Sequence, residues 1–518
     1  MSFGARLNGR TPSGSPGAAI NPRRCRVQRK SHSATWPALL ASLLVAACSA
    51  SSSNSPGVVE SRRHLEGLAP EQWSAGRPGE GEAPLDPAWW KQFADPALDA
   101  LVEEALVANP DLLVAAARVA SAEADARIAG ADLYPTASAG FNTSRSRQVF
   151  IGFPVDDPAL PTPLSATATQ LGVSLDVSWE IDLWGRLRAG SDAARGELDA
   201  ARAAYDGARL SLAGQTAKTW FAVVEAREQL ALAEEALASY RATGEQVAAR
   251  YGLGVRSPLD VRLSRTQVAA AEARVTLRRS TLERVARQLE LLVGRYPSAE
   301  LVAAPAGSKP GRDGLTPSLA PIPAGLPAEL LARRPDLAEA EQRVFAADRR
   351  VAAAKASLLP RLALTGSAGS VSDDLSHLLD GDFGVWSWAA NLMQPIFEGG
   401  KLRAGVYKAK AGAEASAATY VSRALRAFGE VEGALADEVH LVAFEAALER
   451  AAAEADAAQR LAGERYRSGL ETYVTLLESQ RASLDAHATL LEARRRRLEN
   501  RIDLVLALGG GFRRGEES

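Results

Sequence analysis

Between Leu171 and Trp184 the chain alternates between apolar and polar residues. Odd positions carry Leu171, Val173, Leu175, Val177, Trp179, Ile181 and Leu183, and even positions carry Gly172, Ser174, Asp176, Ser178, Glu180, Asp182 and Trp184. Period two marks a strand whose two faces meet different media. Typical strands run about five or six residues, so this one is long. An apolar side opposite a side with three carboxylates suits a strand set between lipid and water, as in an outer-membrane β-barrel. The alternative is one long strand of a soluble sandwich.

The flanking pattern is helical. Ala97 to about Asp132 reads as helix, broken at Asn109-Pro110, with Asp111 favouring the helix dipole in the first turn after the proline. After Leu133-Tyr134-Pro135 the alternation returns through Ala137, Ala139, Phe141 and Thr143, and a Pro-rich loop from Phe150 to Pro163 closes a hairpin. From Leu187 to Arg250 no proline interrupts the helical pattern, which predicts a helix of about 95 Å. A turn at Gly252 to Pro258 leads into a second helical run, Leu259 to Val293.

The whole arrangement then recurs. Asn109-Pro110-Asp111-Leu112 returns as Arg334-Pro335-Asp336-Leu337 and Tyr134-Pro135 as Leu359-Pro360, both 225 residues later (109 to 334). Gly185-Arg186-Leu187 returns as Gly400-Lys401-Leu402 and Arg250-Tyr251 as Arg465-Tyr466, both 215 later (250 to 465). The change of ten places the longer hairpin loop in the first copy. Parity survives: Leu171, Val173, Val177 and Ile181 map to Trp386, Trp388, Leu392 and Ile396, while Trp179 maps to Gln394 and breaks the match. The expected lipid-facing set is therefore Leu171, Val173, Leu175, Val177, Trp179, Trp386 and Trp388. This is a tandem duplication of helix, hairpin, long helix, turn and helix.

Four such strands cannot close a barrel, and an open edge cannot sit in lipid. The smallest barrels of this kind use eight strands. Copies must therefore combine; a trimer gives twelve strands, and strand counting alone leaves dimer and tetramer open. In the long helices, Ala208, Leu212, Gln215, Thr219 and Ala222 form a packed stripe, with Arg227, Glu228, Glu234 and Glu235 on positions suited to water. A wall one helix thick, wet inside and out, uses such a pattern. A soluble coiled coil explains the helices but not the hairpins.

Composition narrows the function. The formal net charge of −2 gives no basic field for nucleic acid, and aromatics at 6% argue against a large globular core. His32, His64, His377, His440 and His487 are scattered without ligand spacing, so no metal site or cofactor is expected. Gly509-Gly510-Gly511 lacks the lysine of a phosphate loop, Arg494 to Arg497 reads as a solvated basic face, and no nucleophile–base constellation points to an enzyme. Arg23, Arg24, Arg26, Arg29 and Lys30 precede an apolar run, Trp36 to Ala47, too short to span a bilayer. It ends in Leu44-Val45-Ala46-Ala47-Cys48, a lipobox-like site that would make Cys48 the lipidated first residue. The alternative is an ordinary secretory signal with a chance cysteine. Ser51 to Pro87 reads as a tether.

Trp89-Trp90-Lys91-Gln92-Phe93-Ala94-Asp95-Pro96, Leu133-Tyr134-Pro135, Ser178-Trp179-Glu180-Ile181-Asp182-Leu183-Trp184-Gly185-Arg186, Arg334-Pro335-Asp336-Leu337 and Ala507-Leu508-Gly509-Gly510-Gly511 together resemble the outer-membrane efflux protein family (TolC-like), nearest its NodT-type lipoprotein branch. The resemblance covers Trp89 to Phe512. It implies a mainly α fold in which each protomer gives four strands to a trimeric twelve-stranded barrel, continuous with a long periplasmic α-helical barrel. The plan is then a signal peptide (1–47), a lipidated tether and equatorial segment (48–96), a first repeat (97–310; hairpin 133–184, tip turn 250–258), an equatorial linker (311–326), a second repeat (327–512; hairpin 359–398, tip turn 465–472) and a tail (513–518).

The resemblance also makes the two turns periplasmic tips that meet an adaptor protein. The tip residues are Tyr251, Gly252, Leu253, Gly254, Val255, Ser257, Tyr466, Gly469, Leu470 and Thr472, with Ser257 and Thr472 as helix caps and Leu253, Val255 and Leu470 as docking residues. Asp260 and Glu478 lie just past the turns; Glu478 matches an acidic constriction residue of the family, and Thr475 stands where another acidic one is found. Expected partners are two further copies, the adaptor, an inner-membrane pump and outer-membrane lipid. The expected role is a passive, tip-gated exit duct for small molecules in the outer membrane of a Gram-negative bacterium. A protein (type I) secretion duct and a non-conducting lipid-anchored coiled coil are the alternatives.

Overall fold

The computed structural model describes residues 55–70, 72–75, 86–152, 163–302, 315, 322, 325 and 327–512. The signal peptide, Cys48, most of the first hairpin loop, most of the 303–326 segment and the tail 513–518 lie outside the described residues. The main elements in order are α1 (Pro56–Leu68), α2 (Pro96–Ala108), α3 (Pro110–Ala131), β1 (Thr136–Phe150), β2 (Leu164–Ile181), α4 (Arg186–Gly252), α5 (Pro258–Leu292), α6 (Pro335–Ala356), β3 (Arg361–Ser372), β4 (Gly384–Met393), α7 (Lys401–Arg467) and α8 (Tyr473–Ala507).

The duplication is metrically close. Helices α3 and α6 both have 22 residues, α4 and α7 both have 67, and α5 and α8 both have 35. A 67-residue helix spans about 100 Å. Helix starts follow local chemistry: Asp95 caps α2 and Asn109 caps α3, each accepting two backbone N–H groups ahead of a proline.

The strands form one antiparallel sheet in the order β1-β2-β3-β4. β2 starts at Leu164, seven residues before Leu171, and stops at Ile181, where Asp182 turns away to accept the Arg188 N–H at 2.9 Å. Register places Ala137, Phe141, Val173, Leu175, Val177, Trp179, Leu364, Trp386, Trp388 and Leu392 on one face. The other carries Ser138, Asn142, Ser174, Asp176, Ser178, Thr365, Ser367, Ser387 and Asn391. The expected parity holds across both hairpins. Its one exception has a physical reason: the Trp179 indole N–H donates to Leu133 O at 3.0 Å, and the Gln394 amide donates to the equivalent Leu358 O at 3.0 Å. The two residues share a hydrogen bond, not a hydrophobicity.

Side-chain contacts repeat as well. Asn109 Nδ2 donates to Leu292 O and Arg334 Nη1 to the equivalent Ala507 O, at 2.8 and 3.1 Å. Gly294 and Gly509 both have positive φ, and a Cβ at Gly294 would lie 2.7 Å from Ala108 O while one at Gly509 would collide with Arg333 O. The close approach of these backbones explains the first glycine of the triplet.

Two expectations are corrected. Part of the tether is helix α1, because Val58, Ser61 and Leu65 share a buried face and Gly57 N donates to Asp348 Oδ2 at 2.8 Å, with Arg62 paired to buried Glu341 at 2.6 Å. The Arg494–Arg497 run is not a solvated face. Arg494 reaches Glu449 at 2.7 Å, Arg495 reaches Glu225 at 3.2 Å and Arg497 reaches Glu445 at 2.9 Å, stitching α8 to α7 and α4; only Arg496 is exposed. The principal core sits where α2, α4, α7 and α8 meet the Trp89–Phe93 turn; Trp89, Trp90, Phe93, Trp220 and Phe221 are all buried there. Trp220 Nε1 donates to the capping Asp95 at 2.8 Å.

Candidate functional site: the paired helical tips

Each tip is a helix end followed by a left-handed glycine. Gly254 has φ +76 and Gly469 φ +78. In both turns the glycine and its successor donate back to the last helical carbonyls, Val255 N to Arg250 O at 3.0 Å and Leu470 N to Arg465 O at 2.9 Å. This is the usual helix stop with glycine at the left-handed position. Gly252 is the last residue of α4 and needs no unusual backbone conformation. The next helices are capped as expected, Ser257 Oγ accepting from Leu259 N at 3.1 Å and Thr472 Oγ1 from Thr475 N at 3.2 Å.

The two tips are clasped together within one copy. Arg250 of the first repeat donates to Tyr466 O at 3.0 Å and Arg467 O at 2.7 Å, the last carbonyls of α7. Its guanidinium also lies 5.0 Å from the centre of the Tyr466 ring, and that of Arg256 lies 4.8 Å away. Two cations against one aromatic ring combine cation–π attraction with compensation of the helix C-terminus. Tyr466 packs against Tyr473 at 6.1 Å, in a small core with Tyr240, Val247 and Leu476. Burial raises the Tyr466 and Tyr473 phenols, the latter to about 12. Behind them, Gln480 donates to Ser239 and Thr243 hydroxyls at 3.1 and 3.3 Å. At the rim the Thr472 N–H holds the Glu471 carboxyl below its ordinary range, helped by Thr475 and Arg465.

The anticipated residues divide into two groups. Tyr251, Leu253, Val255 and Leu470 are exposed apolar groups at the ends of the tips. Tyr466, expected beside them, is fully buried, because both arginines cover its ring. Asp260 is half-buried and its charge is felt by Tyr466 and Tyr473. Thr475 and Glu478 are exposed; Thr475 hydrogen-bonds Thr472, and Glu478 forms no ion pair among the described residues. No hydrogen bond or ion pair joins Asp260, Thr475 and Glu478 within one copy among the described residues. The sequence pattern does not single out Arg250, Arg256, Tyr473 and Gln480 as functional candidates. The repeated Arg-Tyr pair was the available signal, but it does not say which of its two tyrosines is covered.

Comparison with known proteins places this geometry. The model of a family described as "Outer membrane efflux protein" matches residues 101–295 and 326–510, two segments that coincide with the two repeats. The chain is 33% identical over 448 residues to the pyoverdine export outer membrane protein OpmQ of Pseudomonas putida, covering 86% of this chain and 93% of that one. It is 34% identical over 448 residues to the toluene efflux pump outer membrane protein TtgI of Pseudomonas putida, covering 85% and 92%. The solved outer-membrane channel OprN superposes with a TM-score of 0.77 at 27% identity, over 85% of this chain and 96% of that one.

Proposed function

The chain belongs to the outer membrane efflux protein family and is the outer-membrane channel of an efflux pump; from that premise we propose that three copies build one continuous duct, gated at the helical tips. The observation that carries this reading is the four-stranded sheet. It has two chemically opposite faces, and its outer strands β1 and β4 each have a free edge among the described residues. Such edges must be paired in a membrane. Two copies give eight strands, whose interior side chains fill. Three copies are the smallest number that leaves a lumen. The apolar face, with Val173, Leu175, Val177, Trp386 and Trp388 exposed in one copy, then meets lipid, and the face with Asp176 lines water.

The duct is passive, and energy comes from an inner-membrane pump reached through an adaptor. Exposed Leu253, Val255 and Leu470 offer the adaptor an apolar contact at the tips. Opening requires the two helical hairpins of each copy to part, against the Arg250 and Arg256 clasp on Tyr466. The adaptor must therefore favour the parted state over the clasped one. A ring of Glu478 from three copies would favour cations at the narrow end. Acylation of Cys48 would add a lipid anchor beside the barrel, and no cofactor is invoked. The cargo is a class of small molecules, as the names of the relatives suggest for those proteins.

The test is the purified mature chain in detergent. Light scattering should give three copies and planar bilayers should show discrete conductance steps. A monomer, or a non-conducting oligomer, refutes the duct.

A further inference from the structure

The apolar face of the sheet has a height that can be worked out. Along β2 it runs from Ile181 through Trp179, Val177, Leu175 and Val173 to Leu171. Ten residue steps (171 to 181) at about 3.4 Å give about 34 Å along the strand. Strands of membrane barrels tilt by about 35–45°, so the vertical height is about 24–28 Å. The apolar band that such barrels present to lipid is about 25 Å tall. Aromatic residues mark its helical end. The Trp179 and Trp184 indoles donate there to Leu133 O at 3.0 Å and Pro360 O at 2.8 Å, and Tyr134 is exposed beside them in the chain.

Beyond Leu171 the first hairpin continues alone. Strand β3 ends at Ser372, opposite Leu171, whereas β1 and β2 stay paired as far as Phe150 and Leu164. On the face that had been apolar, Arg145 stands opposite Thr169 and Arg147 opposite Thr167, all four exposed. The arginines lie about 7 and 14 Å past Thr143 along the strand, hence about 5–11 Å above the apolar band. That is the depth of the headgroups, which widen a bilayer core of about 30 Å to about 40–45 Å. No carboxylate occurs in Ser144–Phe150 or Leu164–Gln170. Arg147 Nη2 donates to Ser165 Oγ at 3.1 Å, and neither arginine forms an ion pair among the described residues. The duplication does not impose this pair, because the residues 225 later are Ser370 and Ser372.

Resting on the duct reading above, we propose that Arg145 and Arg147 hold a phosphate group of an outer-leaflet glycolipid, one site per copy. Two guanidiniums about 7 Å apart along one strand close on a single tetrahedral phosphate, each through a fork of parallel N–H donors. The Thr167 and Thr169 hydroxyls add donors from the neighbouring strand, about 5 Å away. A zwitterionic phospholipid also carries a phosphate, but its own ammonium competes for it. The phosphate on a glycolipid sugar has no such internal cation, so the site favours the glycolipid. Bound this way, the barrel is held at both boundaries, by indoles at the helical end and by phosphate-bound arginines at the other.

The test is lipid retention by the full mature protein. Purified protein is equilibrated with lipid A in mixed micelles, separated from free lipid, and its bound lipid counted by native mass spectrometry. The double substitution R145S/R147S installs the residues of the second repeat and should lower lipid A retention at least tenfold, with phosphatidylethanolamine retention unchanged. Wild type should retain dephosphorylated lipid A no better than that variant retains lipid A. Arg361→Ser, on the opposite face at the helical end of β3, should leave retention as in wild type. Equal retention by R145S/R147S and wild type overturns the site, as does equal retention of lipid A with and without its phosphates. If the double variant does not assemble, Arg147→Lys, which keeps the charge and loses the fork, should retain about threefold less, and unchanged retention overturns the site. Light scattering and conductance on the same samples separate this failure from that of the duct: three conducting copies without selective retention sink the lipid site alone, whereas single or non-conducting copies sink both.

Discussion

Arg250→Ala isolates the clasp between the two tips. The side chain gives two charged hydrogen bonds to the terminal carbonyls of α7, at 3.0 and 2.7 Å, and covers the Tyr466 ring at 5.0 Å. Buried, charged hydrogen bonds of this kind contribute roughly 1.5–3 kcal/mol each. Arg250 is half-buried, so solvent competes and the pair is discounted to about 1–2 kcal/mol. The cation–π contact adds about 0.5–1 kcal/mol at such a site. The loss is then about 2 kcal/mol per copy, a shift of roughly 30-fold toward parted tips. Planar-bilayer recordings should show a higher open probability, and cells should become more sensitive to large antibiotics that the outer membrane excludes. Arg250→Lys keeps the charge but loses the fork, and should fall between. Arg262→Ala, exposed on the same hairpin, should change nothing. If Arg250→Ala assembles normally and its open probability matches wild type, the clasp does not hold the gate.

Val177→Arg puts a charge on the apolar face and should cost about 2–4 kcal/mol of barrel stability in a urea titration, whereas Asp176→Leu on the opposite face should cost far less; equal tolerance would reverse the face assignment. Glu478→Gln should lower cation preference in reversal-potential measurements, and unchanged selectivity would return Glu478 to a solvated helix surface. Because burial raises Tyr473 to about 12 from an ordinary 10.0, its neutral form stabilises the tip fully below pH 10 and progressively less toward pH 12. Tyr473→Phe should therefore move the alkaline loosening of the tips, read by hydrogen exchange, to higher pH; an unmoved transition means another group governs it. Cys48→Ala should abolish incorporation of labelled fatty acid, and persistent labelling would remove the anchor.

The period-two stretch was legible because lipid and water impose opposite demands on alternate residues, and the duplication made the second hairpin readable from the first. Helix ends were legible where glycine, proline and capping residues coincide, as at Gly254, Ser257, Gly469 and Thr472. What pattern could not supply was neighbourhood. The Arg494–Arg497 run looks solvated until α8 is seen wedged between α4 and α7. Helix α1 hides in a Ser- and Pro-rich segment because its buried face is only three residues wide. Tyr251 and Tyr466 occupy equivalent positions, and only the chain fold decides that the second is covered by arginines.

That difference between equivalent tyrosines belongs to a gradient along the helices. Near the strands and the aromatic core the repeats make the same bonds, from Trp179 and Gln394 to Asn109 and Arg334. The likeness extends to the Arg279–Glu234 and Arg494–Glu449 pairs. Two turns nearer the tips it ends. Arg241 and Glu272 pair at 2.7 Å in the first hairpin; the equivalent residues of the second are Asp456 and His487, in contact at 2.9 Å. The first pair joins a guanidinium to a carboxylate, whereas the second joins a carboxylate to an imidazole. Six identical hairpins would close as a sixfold ring, in which no member is favoured to move. On the three-copy reading proposed above, two alternating kinds break that degeneracy at the tip end, while the strand end keeps its near-symmetry. On the reading proposed above, the second hairpin, which has the Asp456–His487 contact and leans on Arg250 and Arg256 of the first, is the member an adaptor would displace at least cost.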